Sequence, residues 1–353
     1  MDIREIAKRA KVSPATVSRT INRVATVDPQ LSRRVWKVID ELGYYPNTQA
    51  RALVSGRSRI FGLIVSEITN PFFPEIVQAF ENIAVQHGYE IMLTSTVHDP
   101  KRMQLSVRRM IERRVEGVAV MTFGLEEGLL DDLHCRNVPQ VFVDVGPRLP
   151  RVSNLRIDYQ HGIRQAVQHL AALRHQRIAF ISGPHLLKSA LARRDAFLES
   201  MQEIGLETRP DFVIEGDHTI EGGMQAATSL LADDARPTAI MCSNDMTAIG
   251  VMRKAYESGI NIPHDLSLIG FDDIRLAQYV LPPLSTVQMS QTELAHLAFR
   301  ALLNEVQRET PAPKGTEYVL RTNLVLRDST ALVKSDDPAI SSGDGQRTHP
   351  AQS

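Results

Sequence analysis

Val12-Ser13-Pro14-Ala15-Thr16-Val17-Ser18-Arg19-Thr20-Ile21-Asn22 decides how the first sixty residues fold. Ser13 reads as an N-cap and Pro14 as the first helical residue, where a missing N–H costs nothing. Val17 and Ile21 stand four apart, so one helical face buries both. Ser13, Thr16, Ser18, Arg19 and Asn22 then point outward. Upstream, Ile3, Ile6, Ala7 and Ala10 make the apolar stripe of a helix over 3–10, with Asp2 and Glu5 at capping-box spacing. A break follows at Lys11-Val12. Downstream, Asp28-Pro29 repeats the N-cap pairing, and Leu31, Val35, Val38 or Ile39, and Leu42 carry a third helix to Gly43. Two short helices joined by a tight turn and braced by a third are the helix-turn-helix plan. The outward hydroxyls, amide and guanidinium suit the phosphates and base edges of DNA. A small three-helix bundle with a polar face is the alternative.

Charge points the same way. Residues 1–60 hold 12 Lys and Arg against 5 Asp and Glu, so they carry +7 while the rest of the chain carries −8. A basic head on an acidic body suits a polyanionic partner. A merely solvated basic face would show the same balance.

Beyond residue 60 the pattern changes. Short apolar runs at 61–66, 89–94, 117–121 and 140–145 alternate with amphipathic stretches such as 73–87 and 103–114. A second series runs through 177–182, 212–215, 239–242 and 266–270, with helical stretches such as 163–173 and 190–204. This alternation predicts an α/β body of parallel sheets with helices on both faces. Two series predict two similar lobes, with a ligand between them at the carboxyl ends of the strands.

Other classes fit less well. No apolar run is long enough to span a membrane. The charged start, Met1-Asp2-Ile3-Arg4-Glu5, has no apolar signal region, so a cytoplasmic protein is expected. Cys135 and Cys242 stand far apart, outside metal-ligand spacing, and read as reduced thiols. No G-x-S-x-G, P-loop, H-E-x-x-H or Cys/His metal set occurs, which argues against an enzyme, and no cofactor is expected. A secreted solute-binding protein would suit the body alone but not the basic head.

The 12–22 segment resembles the recognition segment of the lactose/galactose repressor (LacI/GalR) family. So do Leu42-Gly43-Tyr44-Tyr45-Pro46-Asn47 and Ala50-Arg51-Ala52-Leu53, and the resemblance runs to about residue 328. It implies an all-α helix-turn-helix headpiece over 1–46 and a hinge helix and linker over 47–59. A two-lobed, periplasmic-binding-protein-like domain of doubly wound parallel sheets would occupy 60–330. Lobe 1 would take 60–158 and 289–318, and lobe 2 would take 159–288 and 319–330. The Ser- and Gly-rich tail over 331–353 has no leucine heptads and is expected to be disordered.

The resemblance also implies a function. A homodimer would bind a palindromic operator in double-stranded DNA and repress carbohydrate-utilisation genes under a small sugar-like effector. A corepressor or a non-sugar effector is the alternative. In the recognition helix, Arg19 would reach guanine and Pro14 and Ala15 would read shape and thymine methyls. Thr16, Ser18 and Asn22 would mainly hold phosphates, and Ser13 would belong to the same DNA-facing surface. Lys11 stands where the turn often carries glycine, and a left-handed residue there costs roughly 1 kcal/mol. Asn47, Ala50, Arg51, Leu53 and Val54 fall on the hinge helix, with Leu53 as a minor-groove wedge. Phe72, Phe73, Asp144, Arg193, His218, Asn244 and Asp272 map onto the effector pocket. Val145-Gly146 and His218 replace an arginine and an aromatic wall that are commoner in the family, so a lactose or purine pocket copied unchanged is not expected.

Overall fold

A computed structural model describes residues 3–21, 26–44, 57–97, 99–122, 131–144, 146–147, 149–232, 236–310 and 312–334. Asn22 and the hinge residues Asn47, Ala50, Arg51, Leu53 and Val54 lie outside the described residues. The head consists of α1 (Ile3–Ala10), α2 (Pro14–Ile21) and α3 (Pro29–Leu42). Ile6, Ala10, Val17, Ile21, Val35 and Ile39 close its core. Asp28 caps α3 by accepting from the backbone N–H groups of Gln30 and Leu31, and left-handed Gly43 ends it. Glu5 pairs with Arg9 at 2.9 Å.

The body contains two six-stranded sheets. One is built from β1 (Ile60–Val65), β2 (Glu90–Ser95), β3 (Gly117–Met121), β4 (Gln140–Val143), β5 (Val152–Asp158) and β11 (Glu317–Arg321). Its order is β11-β5-β4-β3-β1-β2, and every pairing is parallel. The other uses β6 (Ile178–Ser182), β7 (Val213–Glu215), β8 (Ala239–Cys242), β9 (Ser267–Asp272), β10 (Ser285–Gln288) and β12 (Asn323–Val325). Its order is β12-β10-β9-β8-β6-β7, with only β12 antiparallel. The central runs IFGLIV, GVAVM and AIMC are continuous hydrophobes because both faces of a parallel sheet are covered. On lobe 1 the covering helices include α4 (Phe72–Gln86) and α11 (Gln291–Gln307), where Phe299 packs edge-on against Phe80 and Phe61.

The chain passes between lobes three times: at Asp158–Tyr159, between Gln288 and Gln291, and at Thr322. Thr322 stitches two of these crossings. Its hydroxyl donates to the Asp158 carbonyl at 2.7 Å and accepts from the Gly162 N–H at 3.1 Å. A Cβ on Gly162 would lie 2.6 Å from that hydroxyl oxygen, so only glycine fits there.

Three boundaries differ from the sequence reading. The return into lobe 1 extends past 318 to Arg321, because β11 pairs with β5 along its whole length. Residues 57–59 lie against lobe 1 rather than in a free linker: Arg57 bonds Glu116 and the Tyr89 hydroxyl, both at 3.0 Å. Residues 331–334 are not a loose tail. Ala331 donates to the Ser267 hydroxyl, Val333 to the Leu173 carbonyl, and Lys334 pairs with Asp265.

Candidate functional site

In the head, the Ser13 hydroxyl accepts from the Thr16 N–H at 3.1 Å, confirming it as the N-cap of α2. The two hydroxyls also lie 2.9 Å apart, so neither is a wholly uncommitted phosphate ligand. Pro14, Ala15 and Arg19 are exposed, Thr16 and Ser18 half-buried, and Thr20 turned into the core. Arg19 forms no ion pair among the described residues. The turn before α2 is left-handed at Lys11, with φ 51.

In the body, the strand order reverses at β1 and again at β6, and clefts in such sheets open beyond the carboxyl ends of those strands. A cavity of about 330 Å³ lies there. Ser66 and Glu67 follow β1, Thr122 follows β3, Asp217 and His218 follow β7, and Asn244 follows β8. Phe72 and Phe73 come from the start of α4, and Arg193 from α8 (Lys188–Glu203). The volume falls within the range of small-molecule sites.

Arg193 lines this cleft and is only 5% exposed. Its Cζ sits 4.1 Å from the Phe271 ring centroid and 5.2 Å from that of Tyr159. Nη1 donates to the Ser243 carbonyl and lies 3.6 Å from Asp272 Oδ1. Nε is buried without a hydrogen-bond partner among the described residues. Burial pushes the Asp272 carboxyl up to about 7, against the downward pull of Arg193. At 3.6 Å the pair is too long for a hydrogen bond, so desolvation outweighs attraction.

Asn244 and His218 are partly committed to each other's loops. Asn244 caps α10 (Asp245–Glu257) by accepting from the Thr247 N–H, and its amide donates to the His218 carbonyl. His218 Nε2 lies 2.9 Å from the Ser243 hydroxyl. The ring covers Gly183 so closely that a Cβ there would meet Nε2 at 1.9 Å. The cleft therefore gathers Phe72, Phe73, Arg193, His218, Asn244 and Asp272 but leaves Asp144 behind it. Asp144 Oδ1 accepts from the Ile157 N–H and Oδ2 from the Tyr159 hydroxyl. Burial raises its carboxyl, and those two donors and Arg193 oppose the rise.

Residues 2–47 match the family model for bacterial regulatory proteins of the lacI family, and 167–330 match that for a periplasmic binding protein-like domain. The HTH-type transcriptional repressor PurR of Glaesserella parasuis serovar 5 (strain SH0165) is 34% identical over 331 residues, covering 93% of this chain and 97% of that protein. The chain belongs to the LacI family. Among solved structures, a Lac repressor dimer bound to operator and the anti-inducer ONPF superposes on this LacI-family chain with TM-score 0.81 at 27% identity, covering 94% of this chain and 99% of that one. A complex of the transcriptional regulator CelR with cellobiose gives TM-score 0.70 at 27% identity, covering 93% and 99%. This LacI-family protein is accordingly a DNA-binding transcriptional regulator of the repressor type, and its relatives are repressors rather than enzymes. No helix among its described residues is long and apolar enough to cross a membrane.

Sequence reasoning missed Tyr159, Phe271 and Ser243. Each meets a partner distant in the chain, and no local spacing signals such a contact.

Proposed function

We propose that this LacI-family regulator represses carbohydrate-utilisation genes as a cytoplasmic homodimer on a palindromic operator, and that a small hydroxyl-rich effector in the cleft adjusts its grip. One observation carries the effector reading. A buried guanidinium with an unpartnered Nε stands beside the Asp272 carboxyl, with Phe72 and Phe73 lining the same cleft. A donor and an acceptor side by side match a hydroxyl group, and leaving them unpaired is costly. The cellobiose in the CelR complex supports the sugar class. Two-fold pairing is supported by the Lac repressor neighbour, which is a dimer on its operator. In this reading Ser13, Pro14, Ala15, Thr16, Ser18, Arg19 and Asn22 meet the major groove. Asn47, Ala50, Arg51, Leu53 and Val54 meet the minor groove.

The test is to select duplexes from a random pool with the full chain. The preferred duplex is then titrated while neutral sugars, sugar acids, phosphosugars and nucleobases are screened for thermal stabilisation. A neutral sugar that stabilises the protein and weakens duplex binding supports the proposal. Stabilisation by nucleobases alone favours the non-sugar reading. No preference over scrambled duplex refutes operator binding.

A further inference from the structure

Arg34 belongs to α3, outside the two helices that form the helix-turn-helix. Yet its Nη2 donates to two carbonyls of the turn, Ala10 at 2.7 Å and Lys11 at 3.1 Å. These groups lie where α1 ends and no further helical N–H remains to meet them. The carbonyls just before are already used, Ala7 by the Val12 N–H and Lys8 by the Lys11 N–H. A cation at this position also faces the negative pole of α1. Glu5 is paired with Arg9, and the Arg33 side chain donates to the Pro29 carbonyl.

Lys11 is the left-handed residue of the turn, and a side chain in that conformation crowds the following backbone. Two residues later Ser13 caps α2. The peptide that Arg34 grips is thus the one whose orientation sets where the recognition helix begins.

We propose that Arg34 is a positioning residue for DNA reading: it straps the strained turn shut and so fixes α2 against α1. The guanidinium compensates for a lysine where glycine would sit without strain. It acts on DNA through the backbone rather than by touching it.

The test is a double-mutant cycle in the full chain, using the duplex selected by the wild-type protein and a scrambled duplex of equal length. R34M keeps the stem length and removes the donors. It is expected to weaken the selected duplex about tenfold and the scrambled duplex less than threefold, with the salt dependence of scrambled binding unchanged. In the K11G background, where the turn is relaxed, R34M is expected to cost less than threefold on the selected duplex. Far-UV circular dichroism at the assay temperature reports whether the head stays folded. If R34M unfolds it, R34K, which keeps a cation within reach of one carbonyl, should show a smaller loss confined to the selected duplex. Equal losses on both duplexes would make Arg34 a phosphate contact and overturn the proposal. So would an undiminished tenfold loss in K11G, or unchanged binding in both R34M and R34K.

Discussion

The Tyr159 hydroxyl donates to the Asp144 carboxylate at 2.5 Å, joining the first helical residue of lobe 2 to the end of strand β4 in lobe 1. Burial drives the Tyr159 phenol well above its usual range, with Asp144 adding to the shift, so the group stays protonated and keeps donating. The same ring lies 5.2 Å from the Arg193 guanidinium. A side chain in the cleft, the first lobe crossing and the far lobe are thus in one contact chain.

Replacing Tyr159 with phenylalanine should therefore be felt beyond the lost bond. It leaves one oxygen of a buried carboxylate unmet, a change worth about 1–3 kcal/mol. Urea denaturation should report that loss. The ligand-induced change in operator affinity should shrink more than ligand affinity itself. Wild-type stability in Y159F would show the bond to be dispensable.

Asp272 makes stability depend on pH in a stated direction. Its folded carboxyl titrates near 7, above the unfolded reference of 3.8. Below about pH 3 both states are protonated and there is no difference. As pH rises toward 7 the unfolded chain ionises first, and stability is lost through that window. Asp272→Asn should remove this dependence. Its stability relative to wild type should improve by about 2–3 kcal/mol between pH 5 and 7.5. A constant difference across that range would mean that the buried carboxyl is already ionised at pH 5.

Arg193→Lys preserves a charge but loses Nε and the planar face that stacks on Phe271. The ligand-dependent change in operator affinity should fall at least tenfold, corresponding to about 1.4 kcal/mol. Operator binding without ligand should stay within about threefold of wild type. Titration of the selected duplex with and without the active ligand separates the two, and an unchanged ligand response would remove Arg193 from the site.

Arg19→Ala should cost about 1–3 kcal/mol and relax preference at one base pair per half-site. Repeating the duplex selection with the variant reads this directly. A uniform loss on selected and scrambled DNA would assign Arg19 to phosphate instead.

The three helices of the head were legible from sequence because their signals are local. Caps at Ser13 and Asp28, the left-handed break at Lys11 and the Val17–Ile21 face all lie within a few residues of what they control. Strands that read as apolar runs were legible, the edges β2 and β7 among them. The more polar strands were not, including β5 (VSNLRID) and β10 (STVQ) inside the sheets. β11 reads EYVLR, half polar, and only its pairing with β5 places it in lobe 1. The cleft was legible as a set of residue types but not as an assignment of roles. Asp144 was expected to line it, yet its oxygens are taken by Ile157 and Tyr159, and no spacing in the chain announces that.

The stitched crossings have a consequence for biosynthesis. A ribosome releases β1 to β5 first, but their sheet lacks its edge strand until Arg321 has emerged, after β6 to β10 of the other lobe. The half of the body made earliest is thus finished late, and no contiguous gene fragment encodes either half complete. Recombination that exchanges a complete lobe between relatives must therefore carry both lobes together.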